Sequence, residues 1–200
     1  MPIGGSRPLL TRAGRMGPPP AGRAVATIEP VFVLGIDPGL SRCGYGAVLQ
    51  GPSGVSARAI GVIRTAPADP LPLRLAELQG ELRSLLAELR PDVVAVERIF
   101  FQNNVRTAMS VGQASGLAMA EAVAAGCEVV QYSPNEVKLA VTGDGAADKQ
   151  QVQMMVQRLL GLASPPRPAD AADAAALALC HLAHAPARAR IAAASSGVRS

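Results

Sequence analysis

The first sustained apolar run in the chain covers residues 31–36, Val-Phe-Val-Leu-Gly-Ile, and stops at Asp37-Pro38-Gly39. A strand is expected there, ended by Pro38 and turned by Gly39. Residues 44–50 and 55–64 read as two further short strands, so the three together predict an antiparallel meander. Leu75, Leu78, Leu82, Leu85 and Leu89 then recur at three- and four-residue steps. That spacing lines one face of an amphipathic helix, which Arg90-Pro91 ends. Residues 92–96, Asp-Val-Val-Ala-Val, form a short apolar run suited to a buried parallel strand. A long helix rich in small residues is expected over 103–125, closed by Gly126, and a strand over 128–132. Ser133-Pro134-Asn135-Glu136 has the form of a capping box with Pro at the first helical position, and opens a short helix. Further helices are expected over 148–160 and from 169 to about 184, joined by the stiff stretch Pro165-Pro166-Arg167-Pro168. Three strands followed by helix, strand, helix, strand and helices describe an α/β domain around a mixed sheet, without internal repeats.

Composition adjusts this picture in three places. The chain has 200 residues, 49% apolar and 17% charged, which suits one globular domain with a sizeable core. Aromatic residues are only 2%, so the core is aliphatic and few rings are available for stacking on bases. The net charge of +4 is concentrated in the ends: residues 1–29 and 185–200 carry +3 each, which leaves −2 on the body. The basic pI is therefore weak support for nucleic-acid binding by the fold, unless body carboxylates hold cations that reverse the local field. Cys43, Cys127 and Cys180 form no paired or His-associated motif, so ordinary thiols in a reducing cytoplasm are expected. No apolar run reaches the ~18 residues of a membrane span, and residues 1–30 lack the apolar core of a secretory signal. The expected organisation is a disordered basic tail or over-long start at 1–30 (with Met16 as an alternative initiator), a domain at 31–185, and a second disordered basic tail at 186–200.

Two of the apolar strands end in an acid, Asp37 and Glu97. In open α/β sheets, ligands bind outside the carboxyl ends of the strands. One acid at such a place is explained by the turn preference of Asp; a Glu at the equivalent end of a second strand is not. Asp170 and Asp173 lie three apart in an otherwise Ala- and Leu-rich helix, and so share one face. Capping and the helix dipole account for either alone. They do not account for two carboxylates interrupting the same apolar face, whereas coordination of a cation would. Four carboxylates without a His ligand suit hard cations such as Mg²⁺ or Mn²⁺, and a pair of such ions can activate water and stabilise the leaving oxygen in phosphoryl displacement. His181 and His184 fall farther along the same helix and read as structural or surface residues.

In their order along the chain, Gly35-Ile-Asp-Pro-Gly39, Gly44-Tyr-Gly46, Val96-Glu-Arg-Ile-Phe100, Gly112-Gln-Ala-Ser-Gly116, Lys149-Gln-Gln-Val-Gln153 and Ala169-Asp-Ala-Ala-Asp173 resemble the RuvC crossover-junction endonucleases over about residues 31–185. The resemblance implies a ribonuclease H-like fold, a five-stranded mixed sheet flanked by helices. It implies a homodimer that resolves four-way DNA (Holliday) junctions by paired symmetric nicks in recombination and repair, with two Mg²⁺ ions per site that Mn²⁺ replaces. By position, Asp37, Glu97, Asp170 and Asp173 match the family's catalytic, metal-binding acids, although some relatives carry His at the last. Lys138 and Lys149, the only two lysines among 19 basic residues, match positions near the DNA, and Phe100 matches a position implicated in base stacking. A branch-migration motor is implied as a partner, the cytoplasm as location, and no membrane. Two readings compete: a related resolvase-like ribonuclease that processes ribosomal RNA, and a non-catalytic junction-binding module. An actin-type ATPase needs a longer chain. For the dimer, the helix over 103–125 is the candidate interface, through Gly112, Ser115, Gly116 and Ala120 with Met109 and Met119 filling gaps. The alternative is that this face covers the protein's own sheet.

Overall fold

In the computed structural model, residues 30–98 and 105–196 are described, except for the side chains of 105–107 and 186–196. Phe100 lies outside the described residues. The elements are β1 (Val31–Asp37), β2 (Arg42–Gly51), β3 (Gly54–Arg64), α1 (Leu71–Leu89), β4 (Val93–Glu97), α2 (Val105–Ala124), β5 (Glu128–Tyr132), α3 (Pro134–Thr142), α4 (Lys149–Leu159) and α5 (Ala169–Ser196). They form a five-stranded sheet in the order β3-β2-β1-β4-β5. β1, β2 and β3 are the expected antiparallel meander, while β4 runs parallel to both β1 and β5.

Alternation along the strands divides the core into two layers. Leu34, Ile36, Val94 and Val96 face α1 and α2, where they meet Leu78, Leu82, Leu86, Ala114, Ala118 and Ala122. Val33, Val48, Ala95, Val130 and Tyr132 face the other way, against α3, α4 and α5. On that second side α5 lies unusually close to the sheet. A side chain at Gly35, Gly44 or Gly46 would run into the α5 backbone at Ala174, Asp170 and Ala175 respectively. The helix matches this with Ala171, Ala172, Ala174, Ala175, Ala176 and Ala178, all fully buried. Small residues on both surfaces thus seat the first turns of α5 directly over β1 and β2.

Ser133 and Glu136 make the expected capping box, and a second one, Asp148 with Gln151, opens α4. Among the described boundaries, two differ from expectation by more than one residue. β2 begins at Arg42, because its pairing with β3 extends to Arg42 opposite Arg64. α5 continues past residue 184 to Ser196, through a sequence rich in Ala and Arg that also contains Pro186. One side-chain expectation also changes: Ser115 is buried against the sheet side of α2 and does not share the outward face of Gly112, Gly116 and Ala120. At 3.6 residues per turn, Ser115 sits roughly 100° round the helix from Gly116, which is enough to turn it inward. Among the described residues, no helix is long and apolar enough to cross a membrane.

Candidate active site

β1 and β4 are adjacent and parallel, with Ile36 in register with Val96. The next residue of each strand is therefore an acid, Asp37 beside Glu97, at the same end of the sheet. α5 begins over that end and brings Asp170 and Asp173 from its first two turns. Four carboxylates separated by up to 136 positions in sequence, from Asp37 to Asp173, thus share one end of the sheet.

Their environments show how closely they interact. Burial, reinforced by the charges of Glu97, Asp173 and Asp170, pushes the Asp37 carboxyl up to about 7, with Lys149 opposing. Burial and the Asp173 charge also push Glu97 up, offset by Lys149 and by a hydrogen bond with Asp37. Two crowded acids that share a hydrogen bond cannot both ionise cheaply. The helix pair is more open and is met by cations: Arg42 Nε lies 3.3 Å from Asp170 Oδ2, and Lys149 Nζ lies 3.2 Å from Asp173 Oδ2. Asp173 in turn holds the Lys149 ammonium above its usual range.

Two hollows flank the cluster. A small one of about 150 Å³ is bounded by Asp37, Glu97, Asp173, Lys138 and Lys149, so both expected lysines stand on its wall. A trough of about 1040 Å³ opens on the other side, against Asp37 and Asp170, and is lined by Arg42 and Arg74 among others. Nothing in the sequence distinguishes either arginine, because Arg is the common cation of this chain. His181 is buried and its Nδ1 lies 3.0 Å from the Tyr132 hydroxyl, while His184 stacks on the Tyr132 ring; both serve packing between α5 and β5.

Hard divalent cations fit this donor set in kind. All four side chains offer oxygen, and their mutual repulsion is what a cation relieves. The side chains do not yet converge: among the described residues, no three acidic, His or Cys side chains surround a common point as ligands. Arg42 and Lys149 instead hold the two α5 carboxylates, as exchangeable counter-charges.

Comparison with known proteins agrees with this geometry. The family model described as crossover junction endodeoxyribonuclease RuvC matches residues 33–181. A protein of that name from Salinispora arenicola is 56% identical over 169 residues, spanning 84% of this chain and 96% of the relative. Its namesake from Streptomyces avermitilis is 53% identical over 161 residues, 80% of this chain and 91% of the relative. The solved structure of Thermus thermophilus RuvC in complex with a Holliday junction substrate superposes with a TM-score of 0.73 at 38% identity, covering 78% of this chain and 94% of that one.

Proposed function

Because the chain belongs to the RuvC family of crossover junction endodeoxyribonucleases, we propose that it resolves four-way DNA junctions by metal-dependent hydrolysis of phosphodiester bonds, with Asp37, Glu97, Asp170 and Asp173 as the acids that hold the metal. The observation that carries the reading is the meeting of these four carboxylates at one end of the sheet, where the two strand acids are raised by burial and by neighbouring carboxylate charge. Nothing favours the ribosomal-RNA alternative, and the presence of all four acids argues against a purely binding role.

Mg²⁺, with Mn²⁺ as a substitute, suits the all-oxygen donor set, and two ions per site would activate water and neutralise charge on the leaving oxygen. The chain's own groups do the positioning. The sheet fixes Asp37 and Glu97 side by side, and the close seating of α5 fixes the other two acids over them. Lys149 beside Asp173 and Lys138 on the same wall supply positive charge for phosphates next to the cut. Stacking by Phe100 on a base near the junction is part of the proposal by resemblance. The three cysteines are free thiols, in keeping with a reducing cytoplasm.

Paired nicks in symmetry-related strands need two sites, and a two-fold dimer supplies them. The outward face of α2 suits that role: Met109 and Val123 are 63% and 64% exposed, and Gly112, Gly116 and Ala120 lie open between them. A Cβ added at Gly112 or Gly116 would meet nothing within 4 Å, so Gly116→Glu projects its charge outward toward whatever docks there. Light scattering should give twice the chain mass for wild type and the chain mass for Gly116→Glu; an intact dimer in the variant would move the interface elsewhere. A branch-migration motor is proposed as a further partner on family grounds alone.

The function is tested by incubating the protein with a labelled four-way junction, a linear duplex and an RNA–DNA hybrid, with Mg²⁺ or with EDTA. Paired symmetric nicks in the junction alone, abolished by EDTA, are expected. Equal cutting of the hybrid would support the ribonuclease alternative instead.

A further inference from the structure

The acid cluster stands between two basic walls, and the resolvase reading uses only one. Lys138 and Lys149 belong to α3 and α4. Arg42 and Arg74 stand across the cluster, on the start of β2 and on α1, along the trough of about 1040 Å³ that opens at Asp37 and Asp170. Resting on the resolvase reading, we infer that this trough seats the DNA backbone on the side of the cut opposite the lysines, with Arg42 and Arg74 bound to its phosphates.

Three observations carry this. First, a strand whose scissile phosphate lies on the acids must leave the cluster in both directions. The lysine hollow is only about 150 Å³, whereas the trough has room for a chain of sugars and phosphates. Secondly, Arg74 is held as a cation looking for an anion. Its Nε donates to Thr65 Oγ1 at 3.0 Å and its Nη2 to Ser41 Oγ at 2.6 Å, and Thr65 is itself buried and donates to the Leu40 carbonyl at 2.6 Å. Both partners are neutral hydroxyls, and Arg74 has no ion-pair partner among the described residues. The guanidinium therefore keeps several of its five donors in a fixed orientation, which suits a phosphate. Thirdly, the Arg42 side chain is 56% exposed, and its ion pair among the described residues is with Asp170. A surface pair of this kind contributes little, so the guanidinium is easily transferred to a phosphate.

The sign of the trough agrees. Among the described residues, Asp37 and Asp170 are the only carboxylates on its wall, and both belong to the acid cluster. Arg42 offsets Asp170, Arg74 is offset by no ion pair among the described residues, and the polar side chains of Ser41, Ser110 and Gln113 share the wall with the apolar Leu40, Leu71, Met109 and Val111.

The test is binding of the full chain to a labelled four-way junction, followed by fluorescence anisotropy in EDTA, so that no strand is cut, over a series of salt concentrations. Arg42→Ala and Arg74→Ala should each bind roughly three- to tenfold more weakly at moderate salt, with the slope of log K against log salt shallower by ~0.9 for each phosphate that is no longer neutralised. Arg158→Ala, on an exposed residue at the far end of α4, should match wild type. Arg74→Lys, which keeps charge but not the fork, should fall between wild type and Arg74→Ala. If removing the hydrogen bonds to Thr65 and Ser41 unfolds Arg74→Ala, as a melting curve would show, Arg42→Ala and Arg74→Lys decide the matter. Wild-type affinity and salt slope in folded arginine variants would overturn the inference, and so would a loss of cleavage in Arg42→Ala with binding intact, because Arg42 would then act through Asp170 alone. Failure of wild type to bind the junction at all is a different result, and it would take down the resolvase reading together with this one.

Discussion

Asp37 and Glu97 reach the acid cluster from inside the sheet, as the last residues of β1 and β4, whereas Asp170 and Asp173 reach it from the half-buried start of α5. The strand acids are desolvated, hydrogen-bonded to each other and pushed toward the protonated form. The helix acids keep about a quarter of their side-chain surface in solvent, and each has a cation beside it. Half of the site is thus held in place by backbone pairing at a cost in stability, and half by helix packing with replaceable counter-charges. A bound cation would relieve the first pair of repulsion and would compete with the counter-charges of the second.

The largest effect should come from breaking the seat of α5. Gly46→Val would drive a branched side chain into the Ala175 backbone, whose Cα lies only 2.5 Å from the place a Cβ would take. A loss of about 3 kcal/mol or more is expected in urea denaturation, in line with the upper range for overpacking. Gly116→Ala, which adds its methyl into open space, should not destabilise the monomer fold. Equal, small changes in both would mean that α5 is not held by close packing on β2.

The next effect separates the two pairs by pH. The folded-state pKa of Asp37 is raised from 3.8 to about 7, so the folded protein binds this proton more tightly than the unfolded chain. The linked stability is fully present below pH 4 and is lost as pH rises through 7. In EDTA, the contribution of Asp37 should therefore fall by on the order of a few kcal/mol between pH 4 and pH 8, and Asp37→Asn should be the more stable protein at pH 8. Asp173→Asn only frees an exposed lysine, so its change should stay within about 1 kcal/mol. Melting curves at the two pH values measure this, and a destabilised Asp37→Asn at pH 8 would contradict the repulsion described for the strand pair.

The smallest effect concerns the counter-charge. Lys149→Ala should lower the salt slope of junction binding by ~0.9, the share of one phosphate. An unchanged slope would make Lys149 a partner of Asp173 and nothing more.

Much of this site is legible in the sequence because strand-end acids leave a plain mark: an apolar run followed by one carboxylate. Asp170 and Asp173 are visible for the converse reason, as charge inside an apolar helix. The lysines stand out by rarity. Arg42 and Arg74 have no such signal, since neither an arginine among many nor the approach of the β1–β2 turn to α1 is a local property. Helical spacing places Gly112, Gly116 and Ala120 on the outward face of α2 correctly but misplaces Ser115, because a list of small residues does not fix the rotation of a helix. The roles of Gly35, Gly44 and Gly46 are also hidden. Glycines in strands mark close approach, but only the fold says that the approaching element is the one carrying two of the acids.

The central claim is that the four carboxylates act as one metal-holding centre. Its most direct test is single-turnover cleavage of a four-way junction by Asp37→Asn, Glu97→Gln, Asp170→Asn and Asp173→Asn in saturating Mg²⁺, with binding measured on the same preparations. Each variant should bind the junction at least as well as wild type, since it has lost only negative charge, and each should lose detectable cleavage. Wild-type cleavage by any folded variant would remove that residue from the centre, and cleavage by wild type in excess EDTA would contradict the account as a whole.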